Sequence, residues 1–201
     1  MIRVKICGIT CVEDALAAAR AGADAVGLVF VGRSPRHVDI ETAHAICRAL
    51  PPFLNRVGLF MDAEASRVWQ VLDDVPLDWL QFHGGEDAAF CRQFSRPWIK
   101  ALAMGENAAV DVASFDTADA LLLDSHGAGA MGGSGETFDW TRVPNMKRPW
   151  VLAGGLHPGN VAEACRQLEP DAVDVSSGVE DRPGVKSDKL MDQFIKAVKH
   201  G

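Results

Sequence analysis

Cys7 closes the apolar run RVKIC, with Lys5 two residues before it and Gly8 directly after it. A lysine beside a thiol lowers its pKa, and the thiolate is then a usable base or nucleophile. By residue type alone Cys7 reads instead as a small buried hydrophobe. Asp124 closes ALLLD. An acid after four apolar residues is either a loop or capping residue or a placed general acid, kept in reserve by its apolar surroundings. Asp174, in DAVDVSS, is suited to stay ionised and bind hydroxyls, while His83, in QFHG, is either a structural histidine or a ligand contact. An acid and a base at two strand ends can move protons on one substrate.

Two further segments suit the charged ends of such a substrate. Gly154 and Gly155 end one apolar run and Ser176, Ser177 and Gly178 end the next, so backbone N–H groups could approach a phosphate there. Ordinary turns are the alternative reading. GGSG at 132–135, which contains Gly133, is either a flexible linker or a lid over the same phosphate. Arg33 and Arg36 flank Ser34 and Pro35. Loop arginines are usually solvated, but a proline-stiffened guanidinium can grip a carboxylate with two parallel hydrogen bonds. The sequence carries no metal-ligand spacing, and Cys7, Cys11, Cys47, Cys91 and Cys165 form no disulfide framework.

Short apolar runs alternate with helical patterns along the chain, at 3–7, 24–30, 56–61, 78–83, 96–103, 119–124, 148–155 and 171–177. Arginine opens the odd runs (Arg3, Arg56, Arg96, Arg148) and aspartate opens the even ones (Asp24, Asp78, Asp119, Asp171). The spacing from each Arg to the next Asp is 21, 22, 23 and 23. Charged residues mark strand ends in many proteins, but a unit repeated four times fits a closed eight-stranded parallel barrel with two classes of strand. The spacing from each Asp to the next Arg varies, because extra residues follow the second and sixth runs, at 32–37 and 125–140. Both insertions lie at carboxyl ends of strands, where barrels build active sites. Strand alternation turns Lys5, Cys7, Gln81, His83, Leu122, Asp124, Asp174 and Ser176 into the barrel.

The 201 residues are 48% hydrophobic and 23% charged, with net charge -7, which excludes a disordered chain and disfavours nucleic acid or an anionic membrane as partner. No apolar run is long enough to span a bilayer, and no apolar leader precedes Arg3 and Lys5. A soluble, cytoplasmic, monomeric protein is expected, with residues 1–201 forming one domain.

KICGIT (5–10), GRSPRHV (32–38), QFHG (81–84), LLLDS (121–125), GGSGETFDW (132–140), LAGGLHPGNV (152–161) and DVSSGVE (174–180) occur in this order. Together they resemble the phosphoribosylanthranilate isomerases of tryptophan biosynthesis, over essentially the whole chain. The resemblance implies an α/β fold, a single compact (βα)8 or TIM barrel, and an Amadori rearrangement of N-(5-phosphoribosyl)anthranilate without metal or organic cofactor. It further implies Asp124 as general acid, Cys7 as general base, Arg36 on the anthranilate carboxylate, and His83 and Asp174 lining the substrate. Gly133, Gly154, Gly155, Ser176 and Ser177 would bind the phosphate. Two departures are Phe82, where the family commonly has leucine, and Ser187, inserted between Lys186 and Asp188. Competing readings are a Schiff-base aldolase using Lys5 or Lys100, a metal-dependent epimerase, and a noncatalytic phosphosugar binder on the same scaffold.

Overall fold

In the computed structural model, which describes residues 1–105, 111–125 and 139–201, the eight apolar runs become eight strands. These are β1 (Arg3–Cys7), β2 (Ala25–Val29), β3 (Asn55–Phe60), β4 (Trp79–Phe82), β5 (Trp98–Ala103), β6 (Ala120–Asp124), β7 (Trp150–Leu152) and β8 (Ala172–Val175). Each pairs in parallel with the next, and β8 pairs with β1 to close the barrel. Helices α1 (Val12–Ala21), α2 (Ile40–Ala49), α3 (Ala65–Asp74) and α4 (Ala88–Arg92) follow the first four strands, and α5 (Val161–Leu168) follows β7. A two-stranded antiparallel hairpin, β9 (Glu180–Arg182) and β10 (Val185–Lys186), precedes the last helix, α6 (Asp188–His200).

The regular βα unit is not kept throughout. Among the described residues, only 3₁₀ turns, Ala113–Phe115 and Trp140–Arg142, follow β5 and β6. At the starts of these turns Asp111 accepts the backbone N–H of Ser114 and Asp139 that of Thr141.

Alternation along the strands divides the apolar residues into two sets. Val4, Ile6, Val26, Leu28, Leu80, Phe82, Leu121, Leu123, Val173 and Val175 pack outward against the helices, whereas Ile99, Ala101, Ala120, Leu122, Val151 and Ala153 form a cluster inside the barrel. Phe82 meets the rings of Phe60, Phe90 and Phe94 in the outer layer, so its departure from leucine alters packing away from the mouth. Ser187 becomes the N-cap position of α6.

The aspartates at the even-strand entrances have a shared task. Asp24, Asp78, Asp119 and Asp171 accept the backbone N–H groups of Val4, Arg56, Trp98 and Trp150 at 2.9, 2.8, 2.9 and 3.0 Å. Each carboxylate therefore joins its strand to the preceding one at the amino-terminal face. Arg3 and Arg56 pair with the same aspartates, while Arg96 and Arg148 donate to the carbonyls of Leu77 and Phe115. Among the described residues, no helix is long and apolar enough to cross a membrane.

Candidate active site

The register of β1 with its two neighbours builds the first part of the site. Lys5 lies opposite Asp174 of β8, and Cys7 lies opposite Gly27 of β2. Both Lys5 and Asp174 point inward and are buried, with Lys5 Nζ 2.9 Å from Asp174 Oδ1. A Cβ on residue 27 would stand 2.7 Å from Cys7 Sγ and 3.0 Å from Lys5 Nζ. Glycine there leaves the room in which thiol and ammonium meet.

Burial pushes the Cys7 thiol up, Lys5 draws it down, and the nearby Asp174 charge adds to the rise, so the group stays above the ordinary thiol range. The expectation that Lys5 leaves Cys7 with a lowered pKa is thus corrected: the lysine limits the rise without reversing it, because desolvation of the thiolate is the larger effect. Burial also acts to lower Lys5, but the charge of Asp174, joined by that of Cys7 once it is a thiolate, outweighs it and raises the ammonium above its ordinary value. A lysine held protonated is a poor Schiff-base nucleophile. Lys100 points outward instead, donating to Gly84 O at 2.6 Å and Glu86 Oε2 at 2.9 Å beneath the Phe115 ring. Neither lysine supports the aldolase reading.

On the far side, Asp124 ends β6 with only 6% of its surface exposed. Its Oδ2 lies 3.2 Å from Nε2 of His83, whose Nδ1 lies 3.2 Å from the side-chain nitrogen of Gln81. The two ring nitrogens of His83 thus meet Gln81 on one side and Asp124 on the other. Gln81 is fully buried and its Oε1 has no hydrogen-bond partner among the described residues.

Arg36 arrives from the loop after β2. Its backbone N–H donates to Ser34 Oγ at 3.1 Å, and its aliphatic stem passes over Gly8, where a Cβ would stand 2.5 Å from Arg36 Cδ. Gly8 has φ of 75°, a left-handed conformation that glycine adopts at no steric cost. The guanidinium is 2.8 Å from each oxygen of Glu180 through Nε and Nη2. Lys186 Nζ also donates to Glu180 Oε1, at 2.7 Å. Burial alone would raise Glu180, but Arg36 and Lys186 hold its carboxyl below the usual range. Arg33 is directed elsewhere, with Nη2 against Met61 Sδ at 3.4 Å.

One cavity at the carboxyl ends of the strands is lined by Cys7, Arg36, His83, Asp124, Gly154, Gly155, Asp174, Ser176 and Ser177. Residues from β1, β6 and β8 therefore meet at one mouth with residues that follow β2, β4, β7 and β8. Gly133 lies outside the described residues. Sequence reasoning did not assign Glu180 or Lys186, although Glu180 ends DVSSGVE and Lys186 follows the Pro-Gly turn at 183–184. Among the described residues, no group of three or more His, Cys, Asp or Glu side chains could hold a metal ion. The arrangement sets a carboxyl and a thiol three strands apart, with an arginine on one side of the cavity and glycine- and serine-lined strand ends on another.

Residues 4–197 match the family model of N-(5'-phosphoribosyl)anthranilate isomerase. A relative of that name from Stutzerimonas stutzeri is 51% identical over 202 residues, covering 99% of this chain and 98% of its own length. A phosphoribosylanthranilate isomerase solved with reduced 1-(o-carboxyphenylamino)-1-deoxyribulose 5-phosphate superposes with a TM-score of 0.80 at 39% identity, over 99% of both chains. A structure of monomers generated from the dimeric isomerase of Thermotoga maritima gives a TM-score of 0.82 at 36% identity, again over 99% of both chains. The matched length, the identity and the shared barrel place the chain in the N-(5'-phosphoribosyl)anthranilate isomerase family.

Proposed function

We propose that the chain isomerises N-(5'-phosphoribosyl)anthranilate to 1-(2-carboxyphenylamino)-1-deoxyribulose 5-phosphate, with Asp124 as acid and Cys7 as base. Asp124 gives its proton to the furanose ring oxygen, and the C1–O bond breaks to leave a protonated Schiff base. The Cys7 thiolate then takes the C2 proton, and the electron pair of that bond forms the C1=C2 enolamine. Loss of the C2 hydroxyl proton and protonation at C1 complete the ketone. These steps need an acid and a base at separate positions around one sugar, as the ends of β6 and β1 provide.

Lys5 stabilises the thiolate as it forms, and His83 orients the Asp124 carboxyl. Arg36 meets the anthranilate carboxylate, Asp174 the sugar hydroxyls, and Gly154, Gly155, Ser176 and Ser177 the phosphate. The observation that carries this reading is the convergence of Cys7 and Asp124 on one cavity with Arg36 and the glycine-serine strand ends.

The test follows anthranilate fluorescence after adding wild-type, Cys7→Ser or Asp124→Asn protein to freshly generated substrate. The wild type should turn it over and each variant should lose about 10² to 10⁴ in kcat while remaining folded. Full activity in either variant removes its assigned role, and binding without turnover by the wild type returns the scaffold to a phosphosugar binder.

The reading includes cytoplasmic residence and a monomeric protein of residues 1–201. One observation favours self-association as a second reading: Phe53 is fully exposed with φ of 67°, on the rim of a cavity of about 550 Å³ at the amino-terminal face. Sedimentation at micromolar concentration separates monomer from dimer, and Phe53→Glu leaves a monomer unchanged.

A further inference from the structure

We propose that Glu180 is a positioning residue for carboxylate recognition, holding Arg36 as the substrate's clamp. The inference rests on the reading of Arg36 as the carboxylate site. Glu180 does not line the cavity, whereas Arg36 does. It takes the Nε–Nη2 edge of the guanidinium with both oxygens at 2.8 Å, which fixes the plane of the fork. Lys186, whose side chain is fully buried, donates to the same carboxylate at 2.7 Å and also to the carbonyl oxygen of Ser176 at 3.1 Å. Two cations thus share one carboxylate. An arginine that would otherwise lose its rotamer freedom when substrate binds is held in place beforehand.

The hairpin that carries Glu180 and Lys186 is itself fastened to the loop after β1, to α1 and to the loop after β2. Thr10 Oγ1 donates to Gly184 O at 2.6 Å, Asp14 Oδ2 accepts the Lys186 backbone N–H at 2.9 Å, and a Cβ on Gly184 would be 2.9 Å from Pro35 O. The turn therefore abuts the Ser-Pro-Arg segment whose arginine it holds. A hairpin placed only to cover the barrel would have no need of a buried carboxylate facing two cations, since each buried charge costs desolvation that its partners must offset.

The test compares affinities for two inert ligands, the reduced product analogue with its ring carboxylate and the same anilino sugar phosphate without it. Wild type, Glu180→Gln, Arg36→Ala and the double variant are titrated. Glu180→Gln should weaken the carboxylate ligand about tenfold and the plain anilino ligand less than about twofold, and should add nothing once Arg36 is alanine. Equal loss on both ligands, or additivity with Arg36→Ala, overturns the proposal. If Arg36→Ala does not distinguish the ligands, the carboxylate assignment fails instead. Should Glu180→Gln not fold, Glu180→Asp keeps the charge but draws it back by one methylene. The same selective loss, about threefold, is then expected, and no selective loss overturns the proposal.

Discussion

Lys5 Nζ and Asp174 Oδ1 lie 2.9 Å apart at directly paired positions of β1 and β8, so the ion pair forms where the barrel closes. Asp174 keeps the ammonium charged, and that charge opposes the rise that burial imposes on Cys7.

The pH dependence of catalysis follows from this arrangement. Since the Cys7 thiol lies above its ordinary value, the protonated form dominates in the free enzyme near neutrality and kcat/KM should climb with pH as the thiolate forms. Lys5→Met removes the influence that lowers the thiol. Its basic limb should move to higher pH, and the rate at pH 7 should fall about tenfold or more. A pH profile of kcat/KM for both proteins measures this, and an unmoved limb in Lys5→Met would mean that Lys5 serves the barrel closure alone.

His83 and Asp124 support a second prediction. The ring is held by Gln81 on one nitrogen and meets Asp124 on the other at 3.2 Å, so it orients the acid. His83→Asn should lower kcat by about tenfold, well short of the loss from Asp124→Asn, because the proton donor remains while its orientation loosens. Stopped-flow turnover of the two variants gives the ratio. Equal losses would make His83 a participant in the proton transfer itself.

Much of this site was legible because strands impose a period of two. The parity of RVKIC and ALLLD alone turns Cys7 and Asp124 inward, and the Arg-Asp alternation marks the closed barrel. That each aspartate would bond a backbone N–H of the preceding strand was not legible, because sequence spacing does not give hydrogen-bond partners. Nor was the 3₁₀ turn that follows β5 among the described residues, because the apolar pattern of 111–118 does not set helix against turn. The Glu180 to Arg36 contact joins residues 144 positions apart through a short hairpin, and no periodicity reports such a contact. The net direction at Cys7 depended on how deeply it is buried, a property of the whole barrel.

Arg36 carries a third prediction. Its fork lines the cavity and is fixed in plane, which suits a bidentate grip on a planar carboxylate. Arg36→Ala should raise KM by about ten- to a hundredfold with a smaller change in kcat, because the contact is present in both ground and transition states. Arg36→Lys should recover little, since a single ammonium does not reproduce the fork. Unchanged affinity for anthranilate-bearing ligands in Arg36→Ala would show that the carboxylate binds elsewhere.

The two aspartates of DALLLD provide the last prediction, because they sit at opposite ends of one strand. Asp119, at the amino-terminal face, accepts the Trp98 N–H at 2.9 Å and has no part in the mouth cavity. Asp124, at the carboxyl-terminal face, lines that cavity. In a barrel the two faces divide stability from chemistry. Asp119→Ala should cost about 1 kcal/mol and lower Tm by about 2 to 4 °C, with kcat unchanged. Asp124→Asn should leave Tm within a few degrees and remove nearly all turnover. Thermal melts and kinetics on both variants measure the separation, and a large loss of kcat in Asp119→Ala with an unchanged melt would show that the amino-terminal contact reaches the site.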